Sequence, residues 1–162
     1  QKIEYSIEAS NLCKTWSESI PAKKRIEVQR LVQGMVALCC RNRGEYDLAV
    51  EQFRELLEVT EDLPYKLYIL SQIATVLLVK HSWKELGDFF NEYRGFIDTL
   101  QEPDENAAEL YSIDAMYNMS MGNYCDAEIL IEKAIKISVS CILKYLFTFF
   151  SPLLSPVIAP WN

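Results

Sequence analysis

Few side chains in this sequence have the types and spacing that chemistry needs. The single histidine, His81, excludes a His-rich metal site and would have to carry any serine–histidine triad alone. It falls in a tight turn between two helical patterns, where a residue tolerant of left-handed backbone is expected rather than a base. Five cysteines, Cys13, Cys39, Cys40, Cys125 and Cys141, show no CxxC spacing. Cys39 and Cys40 are neighbours, and disulfide geometry disfavours a bridge between adjacent residues. An odd set without a framework predicts reduced, buried thiols in an intracellular protein, cytoplasmic or nuclear. Redox sensing by the pair would need exposure and a lowered pKa, whereas Cys40 falls on a packing position. Glu61/Asp62 and Asp104/Glu105 flank connectors near helix starts, where the macrodipole favours acids, and read as caps and solvated charge. Asn118-Met119-Ser120 spells a glycosylation acceptor, but inside a helical pattern it reads as accidental. No P-loop, GxGxxG, GxSxG or HExxH occurs. The expectation is therefore no enzyme, no metal and no cofactor.

The elements that position these residues follow from composition. At 162 residues, half hydrophobic and a quarter charged, the chain has the size and make-up of one globular domain. Five glycines and six prolines are too few for a turn-rich sandwich or barrel and favour long helices. Sixteen basic against 23 acidic residues leave a net charge of −7, a poor match to a phosphate backbone, so no nucleic-acid partner is expected. The one dense basic run is Lys23-Lys24-Arg25. The chain begins at Gln1, without methionine, beside the apolar pattern Ile3, Ile7, Leu12, Trp16, and reads as a piece of a longer protein or a processed product.

Apolar residues recur at helical period through most of the sequence. Ile26, Val28, Leu31, Val32, Met35, Val36 and Leu38 give one buried stripe, broken at Arg43-Gly44. Further amphipathic runs cover Tyr46 to Val59, Lys66 to Lys80, Trp83 to Leu100, a stretch opened by Pro103-Asp104 and closed by Gly122-Asn123, and Tyr124 to Ile137. Pro64 suits a first helical turn. No segment alternates at period two, so no strand is predicted. Tyr46, Trp83 and Tyr124 each open a second helix, 37 and then 41 residues apart. Nine residues before each stands an alanine: Ala37, Ala74, Ala115. Three after each comes Ala49, Leu86 or Ala127; seven after, Phe53, Phe90 or Ile131; ten after, Leu56, Tyr93 or Ala134. A small residue on the first helix admits the second closely, and the aromatic wedges into the crossing. The three alanines are expected to be buried there against Tyr46, Trp83 and Tyr124.

In these units the chain resembles the tetratricopeptide-repeat (TPR) family, over about residues 30 to 141. Gly44-Glu45-Tyr46-Asp47-Leu48-Ala49 and Gly122-Asn123-Tyr124-Cys125-Asp126-Ala127 match the family's Gly-x-Tyr-x-x-Ala, whereas the middle unit has His81 for the glycine and Leu86 for the alanine. The family's late proline has no match, and the spacing exceeds the family's period. The resemblance implies an all-α, right-handed helical-repeat solenoid of TPR-like helix-turn-helix units, whose concave face is lined by first helices. Carried over, the candidate partner-binding groove is Leu31, Gly34, Leu38, Arg41 and Asn42, then Tyr68, Ser71, Thr75 and Leu78, then Glu109, Ser112, Met116 and Met119. Some relatives clamp a chaperone's C-terminal carboxylate with lysine, arginine and asparagine at such positions; Gly34, Leu38, Glu109 and Ser112 stand there instead, and that activity is not implied.

The expected organisation is a helix of an incomplete preceding repeat over residues 1–21, three TPR-like repeats over 22–141, and an apolar C-terminal segment over 142–162. From Tyr145 to Asn162 there is no charge, and Pro152, Pro156 and Pro160 interrupt the run. A helix from Ile137 to about Phe150 is expected to fold onto Tyr124, Ile131 and Ala134 and to end at Ser151-Pro152. The function these features predict is a non-catalytic scaffold binding a peptide or helix of a partner subunit in a multiprotein complex. The rivals are a membrane-associated adaptor inserting residues 145–162, and a regulatory repeat segment of a larger protein.

Overall fold

The computed structural model describes Thr15 and residues 21–154. These contain six helices: α1 (Ala22–Asn42), α2 (Tyr46–Glu58), α3 (Leu63–Val79), α4 (Trp83–Asp98), α5 (Glu105–Ser120) and α6 (Tyr124–Leu154). No strand occurs among the described residues. The parts of the expected organisation that fall on residues 1–14, 16–20 and 155–162 lie outside them.

The helices are separated where backbone chemistry demands it. α1, α3 and α5 each end with a residue in left-handed conformation: Gly44 at φ 78°, His81 at φ 56° and Gly122 at φ 79°. At each end the same pair of hydrogen bonds closes the last turn. Gly44 N donates to Arg41 O and Glu45 N to Cys40 O; His81 N donates to Leu78 O and Ser82 N to Leu77 O; Gly122 N donates to Met119 O and Asn123 N to Asn118 O, all at 2.9–3.1 Å. This six-to-one plus five-to-two pattern is the Schellman motif, and it satisfies carbonyls the helix end would otherwise orphan. The following helix starts identically each time, with Ala49, Leu86 and Ala127 donating to the carbonyls of Glu45, Ser82 and Asn123. The remaining connectors end in acidic caps: Asp62 accepts from Tyr65 N and Asp104 from Ala107 N, each at 3.0 Å.

The chain divides into two compact units, one ending at Phe89 and the other beginning at Phe90, so the boundary falls within α4. In the first, α1 packs on α2 and α2 on α3. Ala37, Ala49 and Ala74 are fully buried beside Phe53, Leu56, Ile69, Leu70 and Leu77. Each of the larger side chains contributes roughly 1.5–3 kcal/mol by leaving water. In the second, α5 packs on α6, and Phe90, Ile97, Leu110, Ile113, Ala115, Ala127, Leu130 and Ala134 are buried.

Two expectations fail here. Tyr124 is 68% exposed and Ile131 40% exposed; no later helix among the described residues covers their side of α6, so Ala115 is buried without an enclosed aromatic opposite. The stretch from Ile137 to about Phe150 also does not fold back onto Tyr124, Ile131 and Ala134. α6 is one helix of 31 residues running through Ser151-Pro152 to Leu154. No glycine interrupts it, and Pro152, in the final turn, removes one hydrogen bond rather than ending the helix. At about 1.5 Å per residue α6 is about 46 Å long against about 24 Å for α5. Ile142, Leu143, Tyr145 and Leu146 are correspondingly 49–66% exposed.

Candidate functional site

The first two sets of groove candidates lie on α1 and α3, in the first unit. Leu31 and Asn42 are exposed, and Leu38, Arg41, Tyr68, Thr75 and Leu78 are half-buried. Gly34 and Ser71 are buried, which corrects their assignment to an open groove. A Cβ at Gly34 would stand 2.8 Å from the Tyr65 hydroxyl, so this glycine is where α1 admits the Tyr65 side chain. Tyr65 stacks on Tyr68 with ring centroids 5.9 Å apart. Ser71 Oγ donates to the Tyr68 carbonyl at 2.9 Å. Arg41 Nη1 donates to the Gln72 amide oxygen, bringing the end of α1 against the middle of α3.

The third set lies on α5, in the second unit. Glu109, Met116 and Met119 are exposed and Ser112 is half-buried, its hydroxyl donating to the Ala108 carbonyl at 2.9 Å. The opposite face of α5 holds a polar network that the sequence reading missed. Asp114, 2% exposed, accepts two hydrogen bonds of 2.7 Å from the Arg94 guanidinium. Asn118 Nδ2 donates to the Asp114 carboxylate and to its backbone carbonyl, each at 2.9 Å. The glycosylation-like Asn118 is thus buried at 6% exposure with its amide committed. Arg94 and Asp114 stand 20 residues apart on different helices, and no local pattern announces that pairing.

A cleft of about 390 Å³ opens between α6 and the connector of residues 99–104, floored by Tyr111. Lys133, Lys136, Ile137, Ser140 and Lys144 of α6 face it, at spacings that share one helical side. Lys133 Nζ lies 2.9 Å from Asp98 Oδ1 and 5.1 Å from the centroid of the Tyr111 ring. The Tyr111 hydroxyl donates to the same Asp98 oxygen at 2.8 Å. Burial alone would raise the Asp98 pKa, but the hydrogen bonds from Lys133 and Tyr111 outweigh it and hold the carboxyl below its ordinary value. Burial, then the hydrogen bond to Asp98 and the charge of that carboxylate, push the Tyr111 phenol well above its ordinary value. The sequence reading missed Lys133, Lys136 and Lys144; their spacing on one helical side is the signal that could have found them, whereas the wall facing them has no local signal.

His81 is exposed, its ring tilted 5.8 Å from Trp83. Cys40 is fully buried, and burial, with the nearby Glu45 carboxylate, raises its thiol pKa. Cys39 and Cys125, expected to be buried, are exposed, and Cys141 is half-buried; all four described cysteines are free thiols. Cys39 and Cys125 project from outward faces because the apolar period passes over their positions. Among the described residues no three His, Cys, Asp or Glu side chains converge to hold a metal ion. No helix among them is long and apolar enough to cross a membrane. Compared with known proteins, the chain matches no protein-family model, no curated protein and no solved structure.

Proposed function

We propose that this chain is a non-catalytic protein-interaction scaffold of TPR type, which holds a helix or extended segment of a partner protein within a multiprotein complex. The observation that carries the reading is the outward face of α6. Ile135, Val139, Ile142 and Leu146 recur at intervals of four, three and four residues and are 49–58% exposed. Such a stripe is the side of a helix that buries against another helix. Single exposed apolar residues are ordinary, whereas a continuous patch marks a contact surface. The accessible candidates on the first helices, Leu31, Leu38, Arg41, Asn42, Tyr68, Thr75 and Leu78 in one unit and Glu109, Ser112, Met116 and Met119 in the other, are further contacts on this reading. The methionines suit an irregular partner because their side chains adapt. The free thiols suit a reducing compartment, cytoplasm or nucleus.

The test is affinity capture with the full chain and with a double variant, Ile142→Glu plus Leu146→Glu. Both positions are exposed, so the variant should unfold within a few degrees of the parent while losing a specific, stoichiometric partner. Retention of that partner by the variant would remove α6 as the contact surface. Binding to neutral lipid vesicles, abolished by the same substitutions, would replace the scaffold with the membrane-associated reading.

A further inference from the structure

The cleft against α6 gathers positive charge in a chain whose net charge is −7. Its three lysines are not equivalent. Lys133 is committed to Asp98 and lies over Tyr111, forming a fixed wall. Lys144 Nζ stands 4.0 Å from the Glu102 carboxylate, with the two side chains 65% and 87% exposed, so that pairing is screened by water. Lys136 makes no ion pair among the described residues. Ser140 lies four residues after Lys136 and four before Lys144, about 6 Å along the axis from each, within reach of both flexible side chains. Across the cleft the connector supplies the Gln101 amide.

The lysines also select among anions. The described cations lining the cleft are all lysines, which act as compact point charges rather than planar forks. Two compact ammonium groups suit a compact group bearing two charges, and a phosphomonoester carries about −1.5 to −2 at neutral pH. The volume lies at the low end for small-ligand sites and leaves room, beside Ile137 and Pro103, for the atoms that bear the phosphate.

We propose that this cleft binds a phosphomonoester dianion, with Lys136 and Lys144 as its charge partners and Ser140 and Gln101 as neutral donors. The phosphate can be carried by a phosphorylated side chain of a protein segment or by a free phosphorylated molecule. The site is independent of the apolar stripe on α6, so Ile142→Glu plus Leu146→Glu, which should abolish partner capture, should leave it intact.

The experiment follows backbone amide resonances of the full chain at constant ionic strength. Titration with inorganic phosphate and with O-phosphoserine should move the Gln101, Lys136, Ser140 and Lys144 signals, while acetate leaves them in place. Lys136→Gln plus Lys144→Gln, both exposed, should weaken phosphoserine binding at least tenfold with an unchanged helical spectrum. A phosphoserine peptide binding at least tenfold tighter than phosphoserine identifies a protein segment as the source, and equal affinity identifies a free molecule. The proposal is overturned if acetate produces the same shifts, if phosphate produces none, or if the double variant binds as well as the parent.

Discussion

Asp114 shows how much one side chain can tie together. It is buried, takes both prongs of Arg94 and anchors Asn118, whose backbone carbonyl in turn receives the Asn123 N–H at the start of α6. Asp114→Ala should cost about 2–3 kcal/mol in urea unfolding, less than the about 3–5 kcal/mol of a fully buried pair, because the Arg94 side chain is 38% exposed and can rehydrate. Asp98 behaves differently. Its folded pKa lies below its unfolded one, so its stabilisation is present above the unfolded value, near pH 4 by the usual figure of about 3.9, and disappears as pH falls through the folded value. Both Asp98 and Lys133 are over 40% exposed, so the effect should stay under about 1 kcal/mol. Comparing acid unfolding of the parent and Asp98→Asn should show a flatter limb below pH about 4 in the variant. Ala115→Leu adds bulk where 1% of the residue is exposed and should cost about 1–3 kcal/mol.

At the scale of elements, the three left-handed helix ends make a matched set with one odd member. Gly44→Ala and Gly122→Ala should each destabilise by about 1–2 kcal/mol, because a Cβ is disfavoured at positive φ. His81→Gly at the equivalent position should do the opposite, neutral to about 1 kcal/mol stabilising, with thermal unfolding as the readout. These ends were legible because glycine and histidine at such spacing have a backbone reason to be there, and Asp62 and Asp104 were legible as caps for the same kind of local reason. What was not legible depends on distant neighbours. Nothing near Arg94 in sequence points to Asp114, nothing near Gly34 points to the Tyr65 hydroxyl that fills its place, and Ser151-Pro152 reads as a stop unless one knows the helix is almost finished there. The lysines of the cleft went unread although their spacing shares one helical side, and no local pattern points to the connector that closes it. The groove list fared unevenly for this reason, losing Gly34 and Ser71 to neighbouring helices.

For the whole molecule, charge and apolar surface set the choice of partners. With a net charge of −7, duplex DNA should bind negligibly at physiological salt, since the phosphate term supplies most non-specific affinity; a fluorescence-anisotropy titration checks this, and tight, salt-sensitive binding would refute it. A lysine cleft that takes a single dianion does not contradict this expectation, because gripping a duplex requires many phosphates neutralised along a stripe.

The disparity in length between α5 and α6 has a dynamic counterpart. A helix with a neighbour opens only when the packing opens, whereas a helix held by its own hydrogen bonds opens at the modest cost of an isolated segment. Amide protons of α6 should therefore exchange with deuterated solvent in two regimes. From about Leu130 to Ile137, beside α5, they should exchange as slowly as the core of the unit; beyond Cys141 they should exchange orders of magnitude faster. A bound partner covering the outward stripe would merge the two regimes into one, so the exchange profile of this single helix reports occupancy directly.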